Sequence, residues 1–226
     1  GYKSDGLIQE GDVLPHMPGA PVGTIKVLDL NGWAKDEAGN FILDKQGRQV
    51  ITEGPDGKLD DADKVIISKS VPDFTFGINN TINYKGFDLS VYLTGEMGRS
   101  RWNETLLADL TADKFRFGDN VSVYAHQMWR SNKEGKYPSG VFTTYDADTD
   151  FWVEKCNFLR LKSLVFGYQV PANLLGRIGF LKKLRFFWEG QNLFLLTSYT
   201  SGDPETDRYM AYFNQRTFTF GVVAEF

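Results

Sequence analysis

Two runs flanking Lys85-Gly86 constrain this chain more than anything else in it. In "FTFGINNTINY", Phe74, Phe76, Ile78, Ile82 and Tyr84 share one parity, with Asn80 the exception. Thr75, Gly77, Asn79, Thr81 and Asn83 take the other. "FDLSVYLTGEMG" repeats the pattern: Phe87, Leu89, Val91, Leu93 and Met97 alternate with Asp88, Ser90, Tyr92, Thr94 and Glu96. Successive side chains on a strand point to opposite faces, so each run predicts a strand with one apolar and one polar face. A short Gly-containing turn between them predicts a tight β-hairpin.

Three further segments read as strands. "RTFTFGVVAEF" sets Phe218, Phe220, Val222, Ala224 and Phe226 against Thr217, Thr219, Gly221, Val223 and Glu225. "KLRFFWEGQNLFLL" places Leu184, Phe186 and Trp188 opposite Arg185, Glu189 and Gln191. "FWVEKCNFLRLKSLVFGYQV" is mixed: Leu159, Leu161 and Val165 oppose Arg160 and Lys162, while Leu164, Phe166 and Tyr168 share the parity of those cations. Extension beyond the bilayer, or partial burial of both faces, would account for the mixture. About five strands result, with no internal repeat and no helix of ordinary length.

An aromatic content of 15% suits strands better than helices. A net charge of -4 without a Lys/Arg run argues against nucleic-acid binding. Cys156, the single cysteine, excludes an internal disulfide framework and a CxxC metal site. The sequence contains no signal peptide and no apolar stretch near 18 residues, so it encodes no spanning helix. Spanning strands need only about 9–11 residues and alternate in polarity. A mean hydropathy of -0.32 is therefore compatible with a membrane barrel.

The connections alternate in length. Backwards from Phe226 they cover about 197–215, 170–181, 99–150, 85–86 and everything before 73: long, short, long, short, long. A soluble sandwich has no reason to collect its long loops at one end. An outer-membrane barrel has one, because its periplasmic turns are short and its extracellular loops long. The expectation is an all-β chain whose apolar faces meet lipid and whose polar faces line a lumen. Arg160, Lys162, Arg185 and Glu189 are then the expected lumenal charges. About five strands cannot close a barrel, so the sheet should be completed by other polypeptide. The chain starts within what reads as a long loop.

The blocks "YKSDGLIQEGD", "PVGTIKVLDLNG", "DGKLDDADKVII", "VPDFTFGINNTINYKGFDLSVYLTGEMG", "FLRLKSLVFGYQVP", "EGQNLFLLTSYTSGDPE" and "RTFTFGVVAEF" occur in an order that resembles the C-terminal part of SusC/RagA-type TonB-dependent outer-membrane transporters. The resemblance covers nearly the whole chain. It implies a plugged antiparallel barrel of about 22 strands in the outer membrane of a Bacteroidetes-type bacterium. Within it, 1–73 would be an extracellular loop region, 74–99 a hairpin, 100–150 a second extracellular loop and 151–226 the last strands. The implied activity is import of oligosaccharides or peptides, energised by the TonB complex and assisted by a SusD-like surface lipoprotein. A plug and TonB box would precede this stretch, which alone would not transport. Phe226 matches the terminal Phe of the family's barrel-assembly signal.

The resemblance also implies an acidic loop of the calcium type. Here Asp29 and Asn31 are separated by an insertion from Asp56, Asp60, Asp61 and Asp63. Oxygen clusters with a turn glycine suit calcium, but the split spoils the spacing, and a solvated acidic loop is the competing reading. No other cofactor is expected. For ligand contact, Trp102, Trp129, Tyr137 and Tyr145 of the long loop are the candidates. They would stack on sugar rings or peptide side chains, pack against the lipoprotein, or fold the loop on itself. GxSxG, HExxH, P-loop and dinucleotide fingerprints are all missing, so no enzyme is expected. A soluble carbohydrate-binding module and a secreted hydrolase fragment are the remaining alternatives.

Overall fold

A computed structural model describes residues 1–30, 34, 36–38, 40–48, 50, 55–110, 118, 120–131, 135–140, 148–176, 179–206 and 212–226. Its strands are β1 (Ser4–Leu7), β2 (Ile25–Val27), β3 (Phe74–Tyr84), β4 (Phe87–Met97), β5 (Ser100–Trp102), β6 (Val153–Lys155), β7 (Phe158–Gln169), β8 (Lys183–Thr197) and β9 (Thr217–Glu225). The chain divides into two compact units, residues 1–69 with 101–154 and residues 70–100 with 155–226.

The second unit is one antiparallel sheet in the order β3-β4-β7-β8-β9. Lys85 and Gly86 both adopt positive φ, 47° and 87°. Such a pair gives the turn whose twist matches two flanking strands. Tyr84 consequently faces Phe87, and pairing continues to Phe74 opposite Met97.

Register turns the parity of each strand into continuous rows. Ile82, Leu89, Phe166, Trp188 and Phe220 stand side by side across all five strands. Two residues nearer the turns lies the row Tyr84, Phe87, Tyr168, Phe186 and Val222. Phe87 contacts both Phe166 and Tyr168, with ring centroids 5.7 and 4.5 Å apart. Between these rows, on the opposite face, run Asn83, Asp88, Gly167, Phe187 and Gly221.

The mixed alternation of β7 has a different cause from the one expected. The register shifts between Tyr92/Leu93 on β4 and between Leu161/Ser163 on β7. Lys162 is an extra residue relative to β4, and Asn192 and Leu193 together oppose it on β8. Asn192 takes a positive φ of 52°. A bulge exchanges the faces of every residue beyond it. Leu159 and Leu161 before the bulge therefore share a face with Leu164, Phe166 and Tyr168 after it. Neither overhang nor two-sided burial is needed.

The first unit has its own core of Tyr2, Leu7, Ile8, Met17, Ile25, Val27, Leu106, Leu110, Met128, Tyr137 and Trp152. β1 pairs with β2, while the Tyr2 N–H donates to the Asp148 carbonyl (2.7 Å) and the Asp150 N–H to that of Tyr2 (3.0 Å). Asp150 accepts from the Lys3 ammonium at 2.6 Å and from the Ser4 N–H and hydroxyl at 2.7 and 2.6 Å. Burial opposes the charged form of Asp150, but these donors prevail and hold its carboxyl below the ordinary aspartate value. A short helix α1 (Glu104–Asp109) starts at buried Asn103, whose carboxamide oxygen accepts from the Leu106 N–H. Residues that lacked periodicity thus form a packed body out of two distant stretches. β5 and β6 pair with each other.

Candidate functional site

The sheet has one face that nothing among the described residues covers. Phe74, Ile78, Ile82, Tyr84, Phe87, Met97, Phe166, Phe186, Phe194, Leu196, Phe218, Phe220 and Val222 all belong to it, and all are exposed. Phe220 reaches 80% exposure. Soluble monomers rarely show an apolar patch beyond a few hundred Å², and here the patch extends over five strands. Each strand is at least as long as a barrel strand needs to be to cross hydrocarbon. The rows containing Tyr84, Phe87, Tyr168 and Phe186 at the short-turn end have the composition of an interfacial aromatic girdle.

The opposite face is polar and internally paired. Arg185 reaches across β7 to Asp88 in a two-bond pair of 2.9 and 2.6 Å. Gly167 makes the crossing possible: a Cβ there would lie 2.5 Å from the Arg185 guanidinium and from the Asp88 carboxylate. Gln191 donates to Glu189 at 2.8 Å. Lys162, at the bulge, lies 3.5 Å from Glu205.

Arg160 is only 2% exposed, and its guanidinium meets Asp203 at 2.5 Å and also Glu205. Asp203 additionally accepts from the Glu205 and Asn214 N–H groups (3.0 and 3.1 Å) and the Asn214 carboxamide (3.0 Å). Arg99 donates to the Pro204 carbonyl at 2.5 Å. Burial alone would raise the Asp203 carboxyl, but the backbone donors and the Arg160 charge hold it below the ordinary value. The loop between β8 and β9 is therefore clamped onto β7 through "DPE". Parity identified Arg160 as lumenal without revealing this clamp; the paired acids on either side of Pro204 were the available signal.

The loop candidates have different fates. Trp102 ends β5 and is 40% exposed. Tyr137 is 3% exposed, edge-on to Tyr124 and within the core. Tyr145 lies outside the described residues. Trp129 is half-buried: its indole N–H donates to the Gln9 carboxamide at 3.3 Å, and its ring seats on Gly23. Beside it opens a pocket of about 580 Å³ lined also by His126, Arg130 and Ser139.

Among the acidic candidates, Asp29 accepts from the N–H groups of Asp56 (3.3 Å) and Gly57 (2.8 Å). Asp56 accepts from Lys58 N–H and Asp60 from Ala62 N–H. Asp63, buried, accepts from the N–H groups of Leu30 and Asp60, and Asp61 pairs with Lys64. Asn31 lies outside the described residues. Carboxylates directed at backbone N–H groups close the loop; they do not converge as a cation cage, and the described residues contain no metal-type group of three or more His, Cys, Asp or Glu. Phe226 is 70% exposed, stacks on Phe180 with centroids 6.0 Å apart, and its carbonyl accepts from Lys182.

No protein-family model matches the chain. TonB-dependent receptor P3 of Formosa agariphila is 31% identical over 247 residues, an alignment covering 100% of this chain and 22% of that receptor. The chain belongs to the TonB-dependent receptors. Receptor P26 of the same bacterium is 26% identical over 198 residues, covering 80% of the chain and 20% of P26. The segment thus spans about a fifth of the length of the curated receptors it matches. The fold is that of the RagA-type barrel. The RagAB peptide transporter superposes with a TM-score of 0.64 at 20% identity, covering 97% of this chain and 22% of that one. The closed-closed state of the RagAB peptide importer gives 0.60 at 19%, covering 91% and 24%. This TonB-dependent receptor segment is part of an outer-membrane β-barrel. The uncovered apolar face is its lipid-facing surface.

Proposed function

We propose that the whole receptor actively imports oligosaccharides across the outer membrane without altering them chemically. In this reading the five strands form part of the barrel wall, and 1–73 and 100–150 are extracellular loops. A SusD-like surface lipoprotein captures substrate, the rest of the barrel encloses a plug, and TonB supplies energy through a part of the receptor outside this segment. Phe226 acts in barrel assembly.

The supporting observation is the apolar face spanning five strands, backed by a polar face whose charges are already paired. That arrangement suits a wall between lipid and a water-filled lumen. Two accessible indoles in the loop unit, Trp102 and Trp129, favour sugar, because a flat apolar ring with a polar edge suits the faces of pyranoses. Peptide import is the second reading, supported by the peptide cargo of the RagAB transporters of like fold.

Deletion of the complete receptor gene should abolish uptake of labelled oligosaccharides of the preferred kind and leave oligopeptide uptake intact. Loss of peptide uptake alone would select the second reading. Recovery of the receptor in the soluble periplasmic fraction would remove both.

A further inference from the structure

We propose that the pocket beside Trp129 is a subsite for an acidic saccharide, one carrying a carboxylate or sulfate on the sugar ring. The proposal rests on the oligosaccharide-import reading and narrows it to a charge class. Four observations converge on this pocket. Trp129 is fixed before any ligand arrives, because Gln9 holds its indole N–H and its backbone N–H donates to the Tyr137 carbonyl at 2.7 Å. Gly23 leaves the space the ring occupies, where a Cβ would come within 2.4 Å of it. A pre-set ring loses little freedom when a sugar stacks on it.

The Ser139 hydroxyl oxygen, shielded from solvent, has no hydrogen-bond partner among the described residues. Buried polar atoms are almost always satisfied; this one is shut off from water as it stands, so a ligand oxygen reaches it only once the Ser139 side chain turns toward the pocket. Arg130 and His126, both exposed, make no ion pair among the described residues. Elsewhere Lys3, Arg48, Lys64, Arg99, Arg160 and Arg185 each have a carboxylate partner. Among the described residues that line the pocket, none is Asp or Glu.

That combination discriminates between ligands. A neutral sugar has no charge to match the Arg130 guanidinium, and the described lining side chains offer its hydroxyl donors acceptors only at Ser139 and at the imidazole of His126. An anionic sugar supplies the acceptors itself. Its ring would lie on Trp129, its anionic group would meet the planar donor fork of Arg130, and a ring oxygen substituent would engage Ser139. Val121, Val123 and Met128 complete an apolar rim.

Binding by the full-length receptor in detergent should be measured by calorimetry with an oligogalacturonide, a sulfated oligosaccharide, a neutral oligosaccharide of equal length and an Asp-rich peptide. The wild type should prefer one of the two acidic saccharides, and which one identifies the anionic group. Arg130→Gln should weaken that ligand by roughly tenfold, as for a lost charged pair, and leave the neutral one unchanged. Ser139→Ala should give a smaller loss, and Trp129→Phe, which retains a ring, a partial one. Unaltered acidic-saccharide binding in Arg130→Gln, with saccharides of both charges still bound, overturns the subsite and leaves oligosaccharide import standing. Binding of neither charge class by the wild type removes both. Arg130-dependent binding of the peptide alone also overturns the proposal.

Discussion

Replacing Phe220 and its neighbour Thr219 by arginine tests the two faces of the sheet directly. Phe220 is the fourth residue of β9, a strand running from Thr217 to Glu225, and ends the apolar row that starts at Ile82. A strand of this length tilted by about 45° covers most of the hydrocarbon, so its fourth residue lies near the midplane. Arginine there costs about 2–4 kcal/mol. Loss of the phenylalanine's apolar contact with lipid adds about 2 kcal/mol, for a total near 5 kcal/mol. Thr219 faces the lumen, directly across from Glu189. Arginine at that position stays hydrated beside a carboxylate and should cost under about 1 kcal/mol. Folding of the full receptor into lipid vesicles, titrated with urea and read by heat-modifiable gel mobility, separates the variants. Equal losses, or a larger loss at Thr219, would refute the facing and with it the lipid-exposed sheet.

Other consequences can be measured on the same full-length receptor. Asp203→Asn should destabilise the β8–β9 loop by roughly 3 kcal/mol, the low end for breaking a buried pair, because Glu205 still meets Arg160; faster proteolysis within 198–216 is the readout. Because the Asp203 carboxyl is depressed in the folded state, its contribution is complete above the unfolded value of about 3.9. It is lost as pH falls through the lower folded value, so loop protection should fade only in strong acid. Gly167→Ala should lower stability by about 1 kcal/mol by prising apart a partly exposed pair, and little in an Asp88→Ala background, where Arg185 has no partner to hold it against residue 167 and can swing aside. Calcium at Asp29, Asn31, Asp56, Asp60, Asp61 and Asp63 remains a proposal: it requires displacing the backbone N–H donors of that loop, and a melting temperature that rises with calcium and falls with chelator would support it.

The hairpin of β3 and β4 and the final strand β9 were legible because nothing interrupts their two-residue period. In β7 the same rule failed at Lys162, where one extra residue reverses the parity, and the reason becomes visible only once β4 and β8 are aligned beside it. Arg160 read as a lumenal cation, but its acids lie 43 and 45 positions away, beyond any local pattern. The core of the loop unit was hidden for a related reason. Ile25, Leu106 and Trp152 pack into one cluster, yet each sits in an element too short to display a period. Of the aromatic candidates, composition could not separate Tyr137, which holds that core together, from Trp129, which borders an opening.

The shared core of residues 1–69 and 101–154 imposes a schedule on biogenesis. The cluster is split between them, Tyr2, Leu7, Ile8, Met17, Ile25 and Val27 in the first and Leu106, Leu110, Met128, Tyr137 and Trp152 in the second, and the β3–β4 hairpin is strung between them along the chain. The earlier stretch must therefore wait, incompletely folded, until the later one emerges on the same side. Chaperone dependence and proteolytic nicking during export should concentrate in that interval.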